Sequence, residues 1–202
     1  EACVRVCLAA NEPKKAEMVL KDEKASHPER ADSYVLLASL LVRQDRDEEA
    51  LAVANDLLER EPENVQAMKM KATIFLRRRD FAQALVMLQQ VVKVGPSAET
   101  FTSLGETLIG LQRVPEAIDA LNKSLSLNPE HSHALMLLAD VHRGSEQWLK
   151  AAVLYRRAAQ LGAPYERCQV EMRECQTKIM QRRQKPRVDE MAARLMLQEY
   201  LN

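Results

Sequence analysis

Few side chains in this sequence are placed to do chemistry. Its four histidines are His27, His131, His133 and His142, and only His131 and His133 stand close together, as an HxH pair. A zinc ion takes four ligands, and no CxxC or HExxH spacing supplies the others, so a metal there needs ligands from elsewhere. His142 falls on an apolar periodic position and is expected to be a hydrogen-bonded interior residue. Cys168 and Cys175 are seven residues apart, on one face of a helix but too distant to bridge along it. With Cys3 and Cys7 they read as reduced thiols serving as small apolar residues, which suits a reducing, intracellular and cytoplasmic setting. Glycine-rich phosphate loops and GxSxG elbows are absent, and no nucleophile stands beside a base. No catalytic residue, cofactor or metal is therefore expected. Arg77, Arg78 and Arg79 are either a contact for phosphate or an acidic partner or, as preferred here, a solvated basic helix C-terminus.

The elements that position these residues are announced by prolines. Pro28, Pro62, Pro96 and Pro129 are separated by 34, 34 and 33 residues, the length of one helix–turn–helix unit. Aligned on them, one unit carries Tyr34, Leu37, Ala38, Leu41, Ala50, Ala54 and Leu57. The next carries Met68, Lys71, Ala72, Phe75, Ala84, Leu88 and Val91. The third has Phe101, Leu104, Gly105, Leu108, Ala117, Leu121 and Ser124, and the fourth Leu135, Leu138, Ala139, His142, Ala151, Tyr155 and Ala158. Spacings of three and four put each set on one helical face. Small residues recur where paired helices approach closely: Ala38, Ala72, Gly105 and Ala139 from one side, Ala50, Ala84, Ala117 and Ala151 from the other. Proline ends each second helix.

Composition agrees. Aromatic residues make up only 4%, and 29 basic residues balance 29 acidic ones. No global field favours nucleic acid or an anionic membrane, and no run of apolar residues is long enough to span a bilayer.

At these positions the chain resembles the tetratricopeptide repeat family. The resemblance covers residues 1–164, as a partial repeat (1–30) and four repeats (31–64, 65–97, 98–131 and 132–164). It implies an all-α fold: a right-handed superhelical solenoid of antiparallel helix pairs closed by C-terminal capping helices. It also implies a concave groove lined by the first helix of each pair, where a peptide or helix of a partner protein binds. The residues that match the groove positions are Arg5 in the partial repeat and Val35, Ser39 and Val42 in the first full one. Gln66, Lys69, Thr73 and Leu76 follow, then Glu99, Thr102, Glu106 and Ile109, and finally His133, Met136, Asp140 and Arg143. Some relatives clamp a chaperone carboxylate there. That clamp is missing, because Thr73 stands where asparagine is wanted and Ser103 and Leu137 replace later polar contacts.

Beyond the repeats, Tyr165, Cys168, Met172, Cys175 and Ile179 form one apolar seam, expected to be a capping helix over 165–184 that hides the open end of the stack. Pro186, in the run RRQKPR, is expected to stop it. A separate amphipathic helix over 188–202, with Val188, Met191 and Leu195 on one stripe, is expected to pack back on the cap, with docking to a partner or a second copy as the alternative. The functional expectation is a non-catalytic protein–protein interaction scaffold, as a segment of a larger protein or a subunit of a multi-protein assembly. The alternatives are a regulatory arm of a larger enzyme and, against the mixed charge of the groove, an RNA-reading helical repeat.

Overall fold

A computed structural model describes residues 12–200, with side chains over 12–184. The described elements are all helical and fall into two compact units, residues 1–113 and 114–202. Unit 1 contains α1 (Pro13–Ser26), α2 (Ala31–Arg43), α3 (Asp47–Arg60), α4 (Val65–Arg77), α5 (Phe81–Val94) and α6 (Ala98–Gly110). Unit 2 contains α7 (Val114–Leu127), α8 (Ser132–Gly144), α9 (Trp148–Gln160) and α10 (Tyr165–Tyr200). Within each unit every helix packs on its neighbour in sequence, and in unit 1 the first helices also touch, α2 on α4 and α4 on α6.

The small residues sit where the spacing put them. Ala38, Ala50, Ala84, Ala117, Ala139 and Ala151 are all fully buried, and Ala72 is 1% exposed. Between them Leu37, Leu41, Leu57, Leu88, Leu121 and Leu135 fill the volume. A side chain larger than a methyl at those alanines has no room, which is why volume matters more than hydrophobicity there.

The helix boundaries have local causes. Asn64 Oδ1, Asp80 Oδ1 and Ser97 Oγ accept from the backbone N–H of Ala67, Gln83 and Thr100 at 3.0, 3.2 and 3.2 Å, capping α4, α5 and α6. The 33-residue step before Pro129 comes from one shorter turn. Only Gly95, Pro96 and Ser97 separate α5 from α6, against four residues between α3 and α4. The shorter turn draws Gly95 onto Val65, whose Cγ1 would lie 3.2 Å from a Cβ at that glycine.

The turn inside each pair has a recurring geometry that the repeat pattern does not announce. Asp45, Arg79, Gln112 and Glu146 all have positive φ, between 55° and 61°. In each case the next residue's N–H reaches back to the carbonyl five residues earlier, as Arg46 to Leu41 at 3.0 Å and Gln147 to His142 at 2.8 Å. This is the left-handed helix ending usually given to glycine, and a Cβ there is strained. Replacing Gln112 by glycine is expected to stabilise unit 1 by about 0.5–1 kcal/mol, the relief of strain exceeding the extra freedom of the unfolded chain. Urea unfolding of the variant checks this; a lower midpoint would show the turn to be unstrained.

The C-terminal expectation is corrected. Pro186 does not end the helix: α10 runs unbroken over 36 residues from Tyr165 to Tyr200, so no boundary separates 165–184 from 188–202. Proline removes one hydrogen bond, here to the carbonyl of Arg182, and that residue is exposed where water can satisfy it. The flanking Arg, Glu, Met, Ala and Leu residues are strong helix formers that carry the helix across. The stripe of Val188, Met191 and Leu195 lies outside the described side chains. At the other end of the seam Tyr165 is exposed, its hydroxyl accepting from Gln169, while Cys168 and Cys175 are fully buried free thiols. Burial pushes both thiols up, away from the reactive thiolate.

Candidate functional site

Of the groove positions on first helices, Arg5 lies outside the described residues. In unit 1, Ser39, Gln66, Thr73 and Glu99 are exposed, and Val35, Val42, Lys69, Leu76, Glu106 and Ile109 are half-buried. Three of them meet. Lys69 and Thr73 on α4 and Glu99 on α6 line a cleft of about 230 Å³ together with Thr100 and Ser103, and Ala72 and Leu88 complete its walls. Lys69 Nζ lies 3.5 Å from Ser97 Oγ, and the Thr73 hydroxyl donates to the Lys69 carbonyl at 2.9 Å. The cleft thus offers an ammonium, a carboxylate and hydroxyls over an aliphatic wall. Such a set suits the peptide backbone and mixed side chains of an extended chain better than a single anion.

Thr102 is a correction. It is only 2% exposed, and its hydroxyl donates to the Ala98 carbonyl at 2.9 Å. A β-branched hydroxyl residue inside a helix satisfies itself on the preceding turn and so can be buried.

In unit 2, His133 is exposed, but Met136 is 7% exposed and belongs to the core with Leu135, Ala139, Tyr155, Cys168 and Cys175. Asp140 and Arg143 are engaged by the cap. Asp140 accepts from the hydroxyl of Tyr155 and from Arg167 of α10 at 2.9 Å. Arg143 Nε donates to the Tyr155 hydroxyl at 3.2 Å and stands 3.1 Å from Glu171 Oε2. These three groove positions of the last repeat therefore hold the cap in place. The sequence carries a signal for this, since Arg167 and Glu171 sit one turn apart on the seam helix.

Two other polar clusters differ from expectation. Two of the three clustered arginines are not simply solvated. Arg77 donates to the Val42 carbonyl and to Asp45, and Arg78 pairs with Glu48 at 2.9 Å and lies 3.6 Å from Asp47. The end of α4 is thereby tied to the turn between α2 and α3. The neighbouring Arg46 joins Glu17 of α1 at 2.6 Å, and that hydrogen bond holds the Glu17 carboxyl below its usual range. His142 is half-buried rather than interior, its Nδ1 3.0 Å from Gln147 Oε1. His131 Nδ1 accepts from the Ala134 N–H at 3.3 Å, so the HxH pair begins with a helix cap. Among the described residues no cluster of His, Cys, Asp and Glu has the geometry of a metal site, and no helix is long and apolar enough to cross a membrane.

Stacked helix pairs with alanines at the crossings and a lining of first helices define an all-α helical-repeat protein. Tetratricopeptide repeat models match residues 31–74, 69–125 and 102–166, and the chain belongs to the tetratricopeptide repeat family, whose solenoid fold serves protein–protein interaction. The uncharacterized protein y4yS of Sinorhizobium fredii is 35% identical over 82 residues, covering 40% of this chain and 44% of that protein. The chain spans less than half the length of the curated relatives it matches, 44% and 11%. Among solved structures, Pseudomonas aeruginosa PilF is similar at a TM-score of 0.78 and 17% identity, covering 96% of this chain and 89% of that one. YrrB, described as a TPR protein with an unusual peptide-binding site, is similar at 0.62 and 17%, covering 79% and 89%. At these identities the likeness is one of fold.

Proposed function

We propose that unit 1 binds an extended peptide segment of a partner protein along its first helices, within a larger multi-protein assembly. The observation that carries this is the cleft between α4 and α6, where Lys69, Thr73 and Glu99 meet with Thr100 and Ser103. The matched positions come from separate repeats, yet they share one concavity. The similarity to YrrB, whose peptide-binding site is named in its description, supports the same use of the fold. Peptides selected against the full chain from a display library provide the test. Lys69→Ala with Glu99→Ala is expected to weaken their binding about tenfold or more, since both groups approach any segment in the cleft. Both residues are at least partly exposed, so the helical melting curve should be unchanged. Selected peptides that bind the double variant as well as the parent would move the site elsewhere.

A further inference from the structure

Phe81 and Trp148 hold the same register position, the first residue of a second helix, 67 residues apart. Their surroundings differ. In unit 1 the ring of Phe81 lies against the end of α6, so close to Gly110 that a Cβ there would stand 2.5 Å from the ring. The glycine lets the two helices approach closely beside the aromatic, which is half-buried, as Trp148 is. In unit 2 the helix that follows is α10, which has no glycine and leaves Trp148 at the edge of a cleft of about 470 Å³. That volume is within the range of ligand sites.

The cleft has an apolar side and a basic side. Trp148, Leu149 and Ile179 supply the first, and Lys150, Arg182 and Arg183 the second. Leu149 is 69% exposed, and Val153, one turn further along α9, is 57% exposed, so the apolar strip continues out of the cleft. The only carboxylate among the lining residues is Glu146, and it pairs with Arg182. Among the described residues neither Lys150 nor Arg183 pairs with a carboxylate, so both leave positive charge at the rim. α9, which forms one side of the cleft, contains no acidic residue. Glu146 sits in the left-handed turn, which His142 and Gln147 brace through side chain and backbone. A part-apolar cleft with excess positive charge is complementary to a segment that brings leucine-like side chains and carboxylates.

We propose that this cleft binds a short acidic segment of a protein partner, anchored by apolar side chains beside Trp148. The site is separate from the peptide cleft of unit 1 and does not depend on it. Trp148 is the one tryptophan of the chain, so its emission reports on the site directly. The full chain is titrated with a synthetic peptide of alternating glutamate and leucine, with its lysine-and-leucine counterpart, and with phosphatidylserine vesicles. The glutamate peptide is expected to shift the emission to the blue in a saturable way and to bind more weakly as salt rises. Lys150→Glu with Arg183→Glu is expected to weaken it about tenfold or more, and Leu149→Ala about threefold to tenfold. These side chains are exposed, so melting should not change, and Lys69→Ala with Glu99→Ala should leave the titration unaltered. The proposal is overturned by the absence of a saturable shift up to millimolar peptide or by equal binding of the lysine peptide. It is equally overturned by indifference to the charge reversals or by a response to vesicles alone.

Discussion

Replacing Tyr155 by alanine is expected to destabilise unit 2 by about 3–5 kcal/mol, the range for removing a buried aromatic ring. Tyr155 is fully buried at the centre of the cluster formed by α8, α9 and α10. Its hydroxyl also joins Asp140 to Arg143, and those two bind Arg167 and Glu171 of the cap. Tyr155→Phe keeps the ring and should cost about 1–2 kcal/mol, chiefly the hydrogen bond lost to Oδ1 of Asp140, whose other oxygen still accepts from Arg167. Urea unfolding followed by hydrogen exchange over residues 114–202 separates the two. Equal losses in both variants would mean that the hydroxyl network, and not the ring, holds the cap.

A pH effect accompanies this prediction. Burial, and then the hydrogen bond to Asp140, push the Tyr155 phenol above its ordinary value of 10.0. A pKa raised by folding gives stability that is complete below the unfolded value and lost as pH rises towards the folded one. Unit 2 should therefore weaken above about pH 10, and Tyr155→Phe should lack that part of the alkaline loss.

Leu88→Ala is the second large effect, expected at about 2–5 kcal/mol. Leu88 is 2% exposed on α5 and also forms part of the wall of the cleft between α4 and α6. Removing its branched end enlarges that cleft. Because the cleft opens to solvent, water can occupy the new space, which places the cost towards the lower end of the range. Repeat arrays contact mainly their neighbours, so the loss should stay local. Amides of α4, α5 and α6 should lose hydrogen-exchange protection while those of α8 and α9 keep theirs. Uniform loss across both units would show that the chain unfolds as one cooperative body.

The stability of the array was written plainly in the sequence, and its site only in part. Ala50, Ala84, Ala117 and Ala151 recur at fixed offsets because close helix crossings admit nothing larger, and all four are buried. Lys69, Thr73 and Glu99 were reachable by register, and they share a cleft. Thr102 and Met136 fit the same register but face neither groove nor solvent. Position in a repeat gives the angle around a helix; burial depends on what lies next to that helix. The last repeat shows this most clearly, since Asp140 and Arg143 meet a cap helix and not another repeat.

The turns and the C-terminal helix mark the same limit. Four non-glycine residues at positive φ occur at one offset, yet Asp45, Arg79, Gln112 and Glu146 share no chemistry that a sequence could advertise. Pro186 looked like a stop because its local cost is certain, while the helix formers on both sides make a smaller contribution at each residue and prevail only in sum.

The sequence by itself determined the repeat length, the pairing of helices and the small residues at their crossings. Those follow from periodicity and side-chain volume, which are local properties. Only the tertiary structure decided which groove positions meet, that the cap is held by Asp140, Tyr155 and Arg143, and that Trp148 borders a cleft where the Phe81 ring instead meets Gly110. Each of those depends on the identity of the neighbouring helix, glycine-ended α6 in one case and glycine-free α10 in the other. A repeat motif leaves that neighbour unspecified.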